Sequence, residues 1–204
     1  IAAASTAAMA HTPAIAADFV GLTTGNQVGT FSSDNTVEAS FMSISGLGTG
    51  ERMLGIDLRP SDNMIYGVSS LNRIYTLNAG TGQASFVSVL DTPVVNAALS
   101  YGIDFNPVAD FAGAASLRYV SSTGNNYAIN ADTGAVGNAA SSIGAGFSGI
   151  AYTGSDAAQT SRPASTSLYY INTMTDTLQI APSAFNAPTI TTVGSLGISG
   201  NVIG

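Results

Sequence analysis

The chain has 204 residues, a net charge of −7 and charged side chains at only 8% of its positions, against roughly 25% in an ordinary soluble domain. It contains no Cys, which excludes thiolate metal sites, iron–sulfur clusters, covalently attached haem and disulfide scaffolds. Five scattered arginines disfavour nucleic-acid binding and a charge-driven membrane anchor, and no window supplies the roughly 20 apolar residues of a transmembrane helix.

The first 18 residues form an apolar segment of low complexity, which we call the N-terminal arm. Fully extended, the arm would span roughly 60 Å, more than the width of a 20 kDa domain, so it can reach a neighbouring molecule. Three interpretations stay open: an arm that packs on another subunit, an arm that packs on its own domain, and the remnant of a secretory signal ending near Ala16. The predicted assembly residues are Ile1, Ala2, Ala3, Ala4, Met9, Ala10, His11 and Ile15.

Residues 19–204 contain an internal repeat with a period near 47. The segment Leu54–Pro60 matches Tyr101–Pro107, and a weaker third copy places its glycine at Gly149, so that the glycines lie at 55, 102 and 149. A Tyr-x-Leu/Ile-Asn motif with a turn behind it follows each copy. The stretch Phe19–Thr24 resembles Ile65–Ser70, which indicates that the chain enters part-way through a repeat.

Each repeat consists of short alternating segments separated by turn residues. In the second unit we predict strands over 65–70, 73–78 and 84–89, because Ile, Val, Tyr, Phe and Thr suit a pleated surface. Asn78–Gly82 and its copies are predicted hairpin turns. Four strands in a unit of this length are typical of a β-propeller blade.

The sequence therefore predicts an all-β, propeller-like domain of about four blades with four antiparallel strands each. Residues 19–44 supply three strands of the first blade, and 54–90, 101–140 and 148–194 supply the other blades. The final stretch 196–203 is predicted to add the missing strand and so remove a free sheet edge. An open β-sandwich or a solenoid is the alternative.

Four stretches resemble an uncharacterised family of secreted bacterial proteins, a domain-of-unknown-function family with propeller-like repeats. They are Leu54–Pro60, Arg73–Asn78, Gly102–Asp110 and Asn130–Gly134, and the resemblance extends over residues 19–200. It implies an exported, extracellular location and no particular activity. The insertion Phe111–Ser116 departs from the family pattern and is expected to widen a loop.

Equivalent positions of the first two repeats carry carboxylates, Asp57 and Asp104, where the third repeat has Ala151. One interpretation is a ligand or Ca²⁺ face near the propeller axis. The other is a structural Asp that accepts backbone N–H groups where blades meet. The candidate face comprises Asp57, Arg59, Asp104 and Asn106.

Three further carboxylates follow the same strand in each repeat and are predicted to lie in turns; they are Asp62, Asp110 and Asp156. Scarce cations such as Arg59 and Arg118 are expected to pair with acids or backbone carbonyls, with an anionic ligand as the alternative. The tyrosines fall mostly at strand positions, where cross-strand packing is expected and a sugar-stacking platform is the alternative.

No catalytic motif occurs. His11 is the sole histidine and lies in the apolar arm, where a Ser–His–acid arrangement would be unusual. We therefore predict a non-enzymatic extracellular structural protein that self-assembles, as a filament or surface-layer subunit, with the arm packing on or adding a strand to its neighbour. The alternatives are an extracellular binding module for a glycan, a peptide or calcium, and an enzyme that uses paired carboxylates.

Overall fold

The structure, a computed structural model, describes residues 17–137 and 142–198, with the side chains of residues 36–38 left aside. In these residues fifteen strands form four antiparallel sheets, arranged as a four-bladed β-propeller. The first blade comprises β1 (Asp18–Leu22), β2 (Gln27–Ser32) and β3 (Asn35–Ser43), and the second comprises β4 (Met53–Leu58), β5 (Ile65–Ser69), β6 (Arg73–Leu77) and β7 (Ala84–Val89). The third comprises β8 (Tyr101–Phe105), β9 (Ser116–Ser121), β10 (Asn126–Asn130) and β11 (Val136–Gly137), and the fourth comprises β12 (Phe147–Tyr152), β13 (Leu168–Asn172), β14 (Thr177–Ala181) and β15 (Thr191–Ser195).

The all-β propeller fold predicted from the repeat is confirmed, and the strands of the second blade fall where they were predicted. The repeated Asn also forms the expected turn. The side-chain oxygen of Asn78 accepts hydrogen bonds from the N–H groups of Gly80 and Thr81. The same pair of bonds recurs at Asn130 and at Asn172, which explains why the motif is repeated.

The inner strands β4, β8 and β12 pack side by side near the propeller axis. Their repeated glycine allows this approach. A Cβ built on Gly102 would lie 2.7 Å from the backbone N of Ile150, and one on Gly55 would lie 3.2 Å from the Ile103 side chain. Gly102 thus brings the backbones of β8 and β12 into direct contact.

Two apolar clusters connect the last three blades. The larger includes Tyr66 and Ile74 of the second blade with Phe105 and Tyr119 of the third. The smaller joins Val120 of the third blade to the fourth. The first blade contributes mainly partly buried residues to a third, smaller cluster.

The first blade has three strands where the others have four. The end of β3 lies against the turn at Gly82, as the end of β7 lies against the turn at Gly134, so β3 holds the outermost position. It follows that β1 stands second, and among the described residues no strand pairs with its inner edge. Of the closing strand predicted at 196–203, residues 196–198 belong to no strand, and the remainder lies outside the described residues.

The insertion after β8 is a compact helical turn and not a wide loop. A short helix, α1 (Pro107–Ala109), leads into a π-helical turn over Asp110–Ala114, and Asn106 caps it by accepting a hydrogen bond from the N–H of Ala109. Asp110, predicted as a turn carboxylate, is only 2% exposed. The carboxylate of Asp110 can be buried because the Arg59 guanidinium pairs with it at 2.7 Å.

Candidate functional site

The two repeated carboxylates reach from one blade to the next. Oδ2 of Asp57 accepts a hydrogen bond from the N–H of Phe105 at 2.7 Å, and Oδ2 of Asp104 accepts one from the N–H of Tyr152 at 3.2 Å. Each Asp therefore joins its inner strand to the following blade, at the residue directly after its own repeat equivalent. This is the geometry of the structural alternative considered for the repeat, an Asp that satisfies backbone N–H groups where blades meet.

These carboxyl groups titrate at unusually high pH. Burial raises the pKa of Asp57 to about 7, opposed by the N–H groups of Phe105 and Leu58. Burial likewise raises the pKa of Asp104 well above its usual value, and the charge of Asp57 raises it further. Oδ1 of Asp104 is buried without a hydrogen-bond partner among the described residues. Ionising both groups together is therefore unfavourable.

Arg59 joins the second and third blades through a carboxylate network. Its Nε donates to Asp110 at 2.7 Å and its Nη1 to Asp132 at 2.6 Å, while Asp62 lies 3.6 Å away. The guanidinium also lies over the ring of Phe105. The sequence indicated an acid partner for Arg59 but not which acids, because Asp110 and Asp132 come from another repeat.

Asn106, the remaining member of the predicted ligand face, and Arg118, predicted separately to pair with an acid or a carbonyl, also make contacts within the protein. Asn106 caps the helical turn, and the buried Arg118 donates to Tyr152, Asn126 and Asn186. Within residues 17–137 and 142–198, no group of three His, Asp or Glu side chains is placed to hold a metal ion. The predicted ligand face, with calcium as one candidate ligand, therefore stays a prediction. Its two carboxylates are Asp57 and Asp104.

A cavity of about 430 Å³ opens between β1 and the inner strands of the other three blades. Thr23, Arg52 and Ser100 contribute polar groups to its wall. Ser148 also lines it, is 3% exposed, and has a hydroxyl without a partner among the described residues. The cavity occupies the place that a first strand takes in the other blades.

The inner edge of β1 has no partner strand among the described residues, and it reaches this cavity at its end, Leu22. In the antiparallel pairing with β2, residues 19 and 21 exchange hydrogen bonds with residues 31 and 29, as the flanking bonds from Ser33 to Ala17 and from Thr23 to Gln27 indicate. The intervening Val20 and Leu22 therefore direct their N–H and C=O groups toward the opposite edge. The match of Phe19–Thr24 to Ile65–Ser70 had already indicated that β1 is the second strand of its blade.

The predicted assembly residues of the arm, from Ile1 to Ile15, lie outside the described residues. In the part that the structure describes, no helix has the length and hydrophobicity needed to span a membrane. Several tyrosines pack across strands or against aromatic neighbours, such as Tyr101 against Tyr119 at 4.7 Å between ring centres. The sugar-stacking role of these tyrosines stays a prediction.

Comparison with known proteins gives a family but no activity. Residues 27–204 match the family described as a domain of unknown function, DUF4394, and the chain belongs to that family. No protein with curated annotation matches it. The solved structures that are similar include the computationally designed Ika8 protein, at 7% identity and a TM-score of 0.44 over 85% of this chain. The chain spans 57% of the length of that protein.

Proposed function

We propose that this member of the DUF4394 family is a non-enzymatic subunit that self-associates by strand addition. The N-terminal arm of one copy enters the first blade of another and pairs with the inner edge of β1. The observation that carries the proposal is the first blade, which has three strands among residues 17–137 and 142–198 and whose inner strand β1 ends at a cavity beside β4, β8 and β12.

Strand addition suits this edge because it requires few special side chains. The incoming strand gains main-chain hydrogen bonds to Val20 and Leu22, and its side chains enter the space beside β4 and β12. An open edge of this kind is otherwise a site of uncontrolled pairing, which native proteins cover. The apolar, Ala-rich arm offers small side chains for a narrow space.

The low charge of the chain also supports close packing between copies. With charged residues at 8% of positions, few ions lose their hydration when two subunits meet. The proposal includes an extracellular location, for which the support is the resemblance of the repeat motifs to secreted bacterial proteins. A filament or surface layer is the assembly that repeated donation from copy to copy would build.

Sedimentation velocity tests the proposal with three variants. We expect the full chain to associate, and expect both deletion of residues 1–16 and Val20→Pro to leave monomers, because proline removes the N–H that faces the open edge. Val193→Pro is the matched control, since Val193 lies in the edge strand of another blade and should leave association intact. A monomeric full chain, or association that survives the deletion, contradicts strand donation.

A cysteine pair identifies which chain supplies the strand. Because the chain has no native Cys, Met9→Cys combined with Thr24→Cys introduces only two thiols, and each single variant controls for disulfides between the same position of two copies. Cross-linked dimers and higher species on a non-reducing gel support exchange between copies. A disulfide confined to monomers shows that each arm closes its own blade, which would refute self-association by this route.

A further inference from the structure

A second candidate surface lies on the outer hairpin of the second blade, which is formed by β6 and β7. Tyr75 stands opposite Phe86 and Arg73 stands opposite Val89 in the pairing of β6 with β7. A bulge in this pairing puts Phe86 and Val89 on the same face although three positions separate them. Together with the segment 46–48, these four residues line a groove of about 540 Å³, which we call the β6–β7 groove.

The floor of the groove is an exposed aromatic ring. Phe86 is 60% exposed and Val89 is 54% exposed, whereas Tyr75 is buried beneath them. The rings of Phe86 and Tyr75 form an edge-to-face pair with 5.9 Å between their centres and an angle of 81°, an arrangement that favours contact between them. The opposite wall is formed by Gly46, Leu47 and Gly48, so Leu47 is the one large side chain that this segment adds to the groove.

The positive charge of Arg73 in the groove is already neutralised by an ion pair with Glu51. Nη1 of Arg73 donates to Oε2 of Glu51 at 3.1 Å, and the fully buried Glu51 carboxylate also accepts from Gly48 and Tyr75. The Arg73 side chain is 39% exposed, and a guanidinium has five N–H donors. The groove therefore offers hydrogen-bond donors without an excess of positive charge.

We propose that the β6–β7 groove binds a neutral carbohydrate, with one sugar ring stacked on Phe86 and its hydroxyl groups accepting hydrogen bonds from Arg73. A pyranose ring has a C–H face that suits the negative face of an aromatic ring, and hydroxyls around its rim. The groove has the size range of small-molecule sites.

Other ligand classes fit less well. An acidic ligand would meet a paired arginine in a protein of net charge −7. A purely apolar ligand would cover the exposed face of Arg73 without replacing its hydrogen bonds with water, which is costly. Only a ligand with both an apolar face and hydroxyl acceptors satisfies both halves of the groove.

The test is NMR titration of the full chain with maltotriose, cellotriose and N,N′,N″-triacetylchitotriose, observing the backbone amide resonances of Arg73, Tyr75 and Val89, which line the groove and are present in every variant. We expect at least one of these sugars to shift them in a saturable way. Phe86→Ala should weaken that binding about tenfold, and Phe86→Tyr should retain it because the stacking face remains. Val193→Ala, at a similarly exposed apolar residue of the fourth blade, serves as the matched control and should bind normally.

The outcomes separate cleanly. Binding that is unchanged in Phe86→Ala places the sugar elsewhere and overturns the proposal, as does the absence of a saturable shift with all three sugars. The deletion of residues 1–16 should leave sugar binding intact, since the groove lies on the second blade. Failure of strand donation and failure of sugar binding are therefore distinguishable in the same set of variants.

Discussion

The buried carboxyl group of Asp57, which joins the second and third blades, makes the stability of the protein depend on pH. Asp57 is held by the Phe105 N–H and has a pKa of about 7 because burial disfavours its charge. The folded state thus binds a proton more strongly than the unfolded chain does at the same position. Stability gained from the neutral acid is present at low pH and is lost as the pH rises through about 7.

We therefore predict that the free energy of unfolding falls by on the order of 2 kcal/mol between pH 5 and pH 8. Urea unfolding of the wild type and of Asp57→Asn at both pH values measures the effect. Asp57→Asn should reduce the pH dependence without abolishing it, because burial also raises the pKa of Asp104, whereas Asp156→Asn, in an exposed loop, should leave it as in the wild type. Equal slopes for wild type and Asp57→Asn would show that another group is responsible.

Of the three acids around Arg59, Asp110 is the most buried and Asp132 the most exposed, so substitutions can compare the contribution of a buried and an exposed contact. Asp110 has a fully buried carboxylate, bound by Arg59 Nε and by the Ser61 N–H, while the Asp132 side chain is 52% exposed. Removing the cation leaves the charge of Asp110 buried without a counter-ion. Removing the charge of Asp132 leaves nothing buried unpaired.

Arg59→Met is accordingly expected to lower the free energy of unfolding by about 3–5 kcal/mol, and Asp132→Asn by less than about 1 kcal/mol. Chemical denaturation of both variants at neutral pH compares them directly. Similar losses for the two variants would mean that the exposed contact contributes as much as the buried one, contrary to this account.

Among the strands, the repeated glycine determines how closely the inner strands pack. A Cβ on Gly102 would meet the backbone of Gly149 and Ile150 at 3.0 Å or less, and a backbone cannot move aside as a flexible side chain can. Gly194 in β15 has no atom within 4 Å of the same position. Gly102 and Gly194 both lie in strands, but an added Cβ would collide with backbone atoms at Gly102 and meet open space at Gly194.

We predict that Gly102→Ala costs about 3 kcal/mol by forcing β8 and β12 apart, whereas Gly194→Ala changes stability by less than about 0.5 kcal/mol. Thermal and urea denaturation measure both variants. A well-folded Gly102→Ala variant with wild-type stability would show that the inner strands tolerate a wider spacing.

The sequence alone predicted these elements well because their signals are local. Alternating apolar residues and the Asn turns lie within one hairpin, so the strands of the second blade and the turn at Asn78 followed directly from the pattern. The partners of Arg59 and the burial of Asp110 could not be predicted, since they depend on which blades become neighbours. The outward turn of Phe86 depends on a bulge in the β6–β7 pairing, which has no sequence signature, whereas the position of β1 in its blade was indicated by the match of Phe19–Thr24 to Ile65–Ser70.

Across the whole propeller, the described contacts between blades are unevenly distributed. The inter-blade hydrogen bonds of Asp57 and Asp104, the Arg59 network and the two larger apolar clusters all join the second, third and fourth blades. The first blade lacks an inner strand among the described residues, and the first three residues of β1 are exposed. Local opening should therefore begin there.

Hydrogen exchange of the full chain measures this order of opening. At low protein concentration, amides of β1–β3 should exchange faster than those of β8 and β9, whose residues are almost all buried. If a second copy donates a strand, protection of Val20 and Leu22 should rise with protein concentration, because their N–H groups face the open edge, while protection in β8 stays constant. Equal protection in the first and third blades at every protein concentration would contradict two claims, the weaker first blade and the exchange of strands. A first blade closed by a strand of its own chain would be as protected as the third, and its protection would not change with protein concentration.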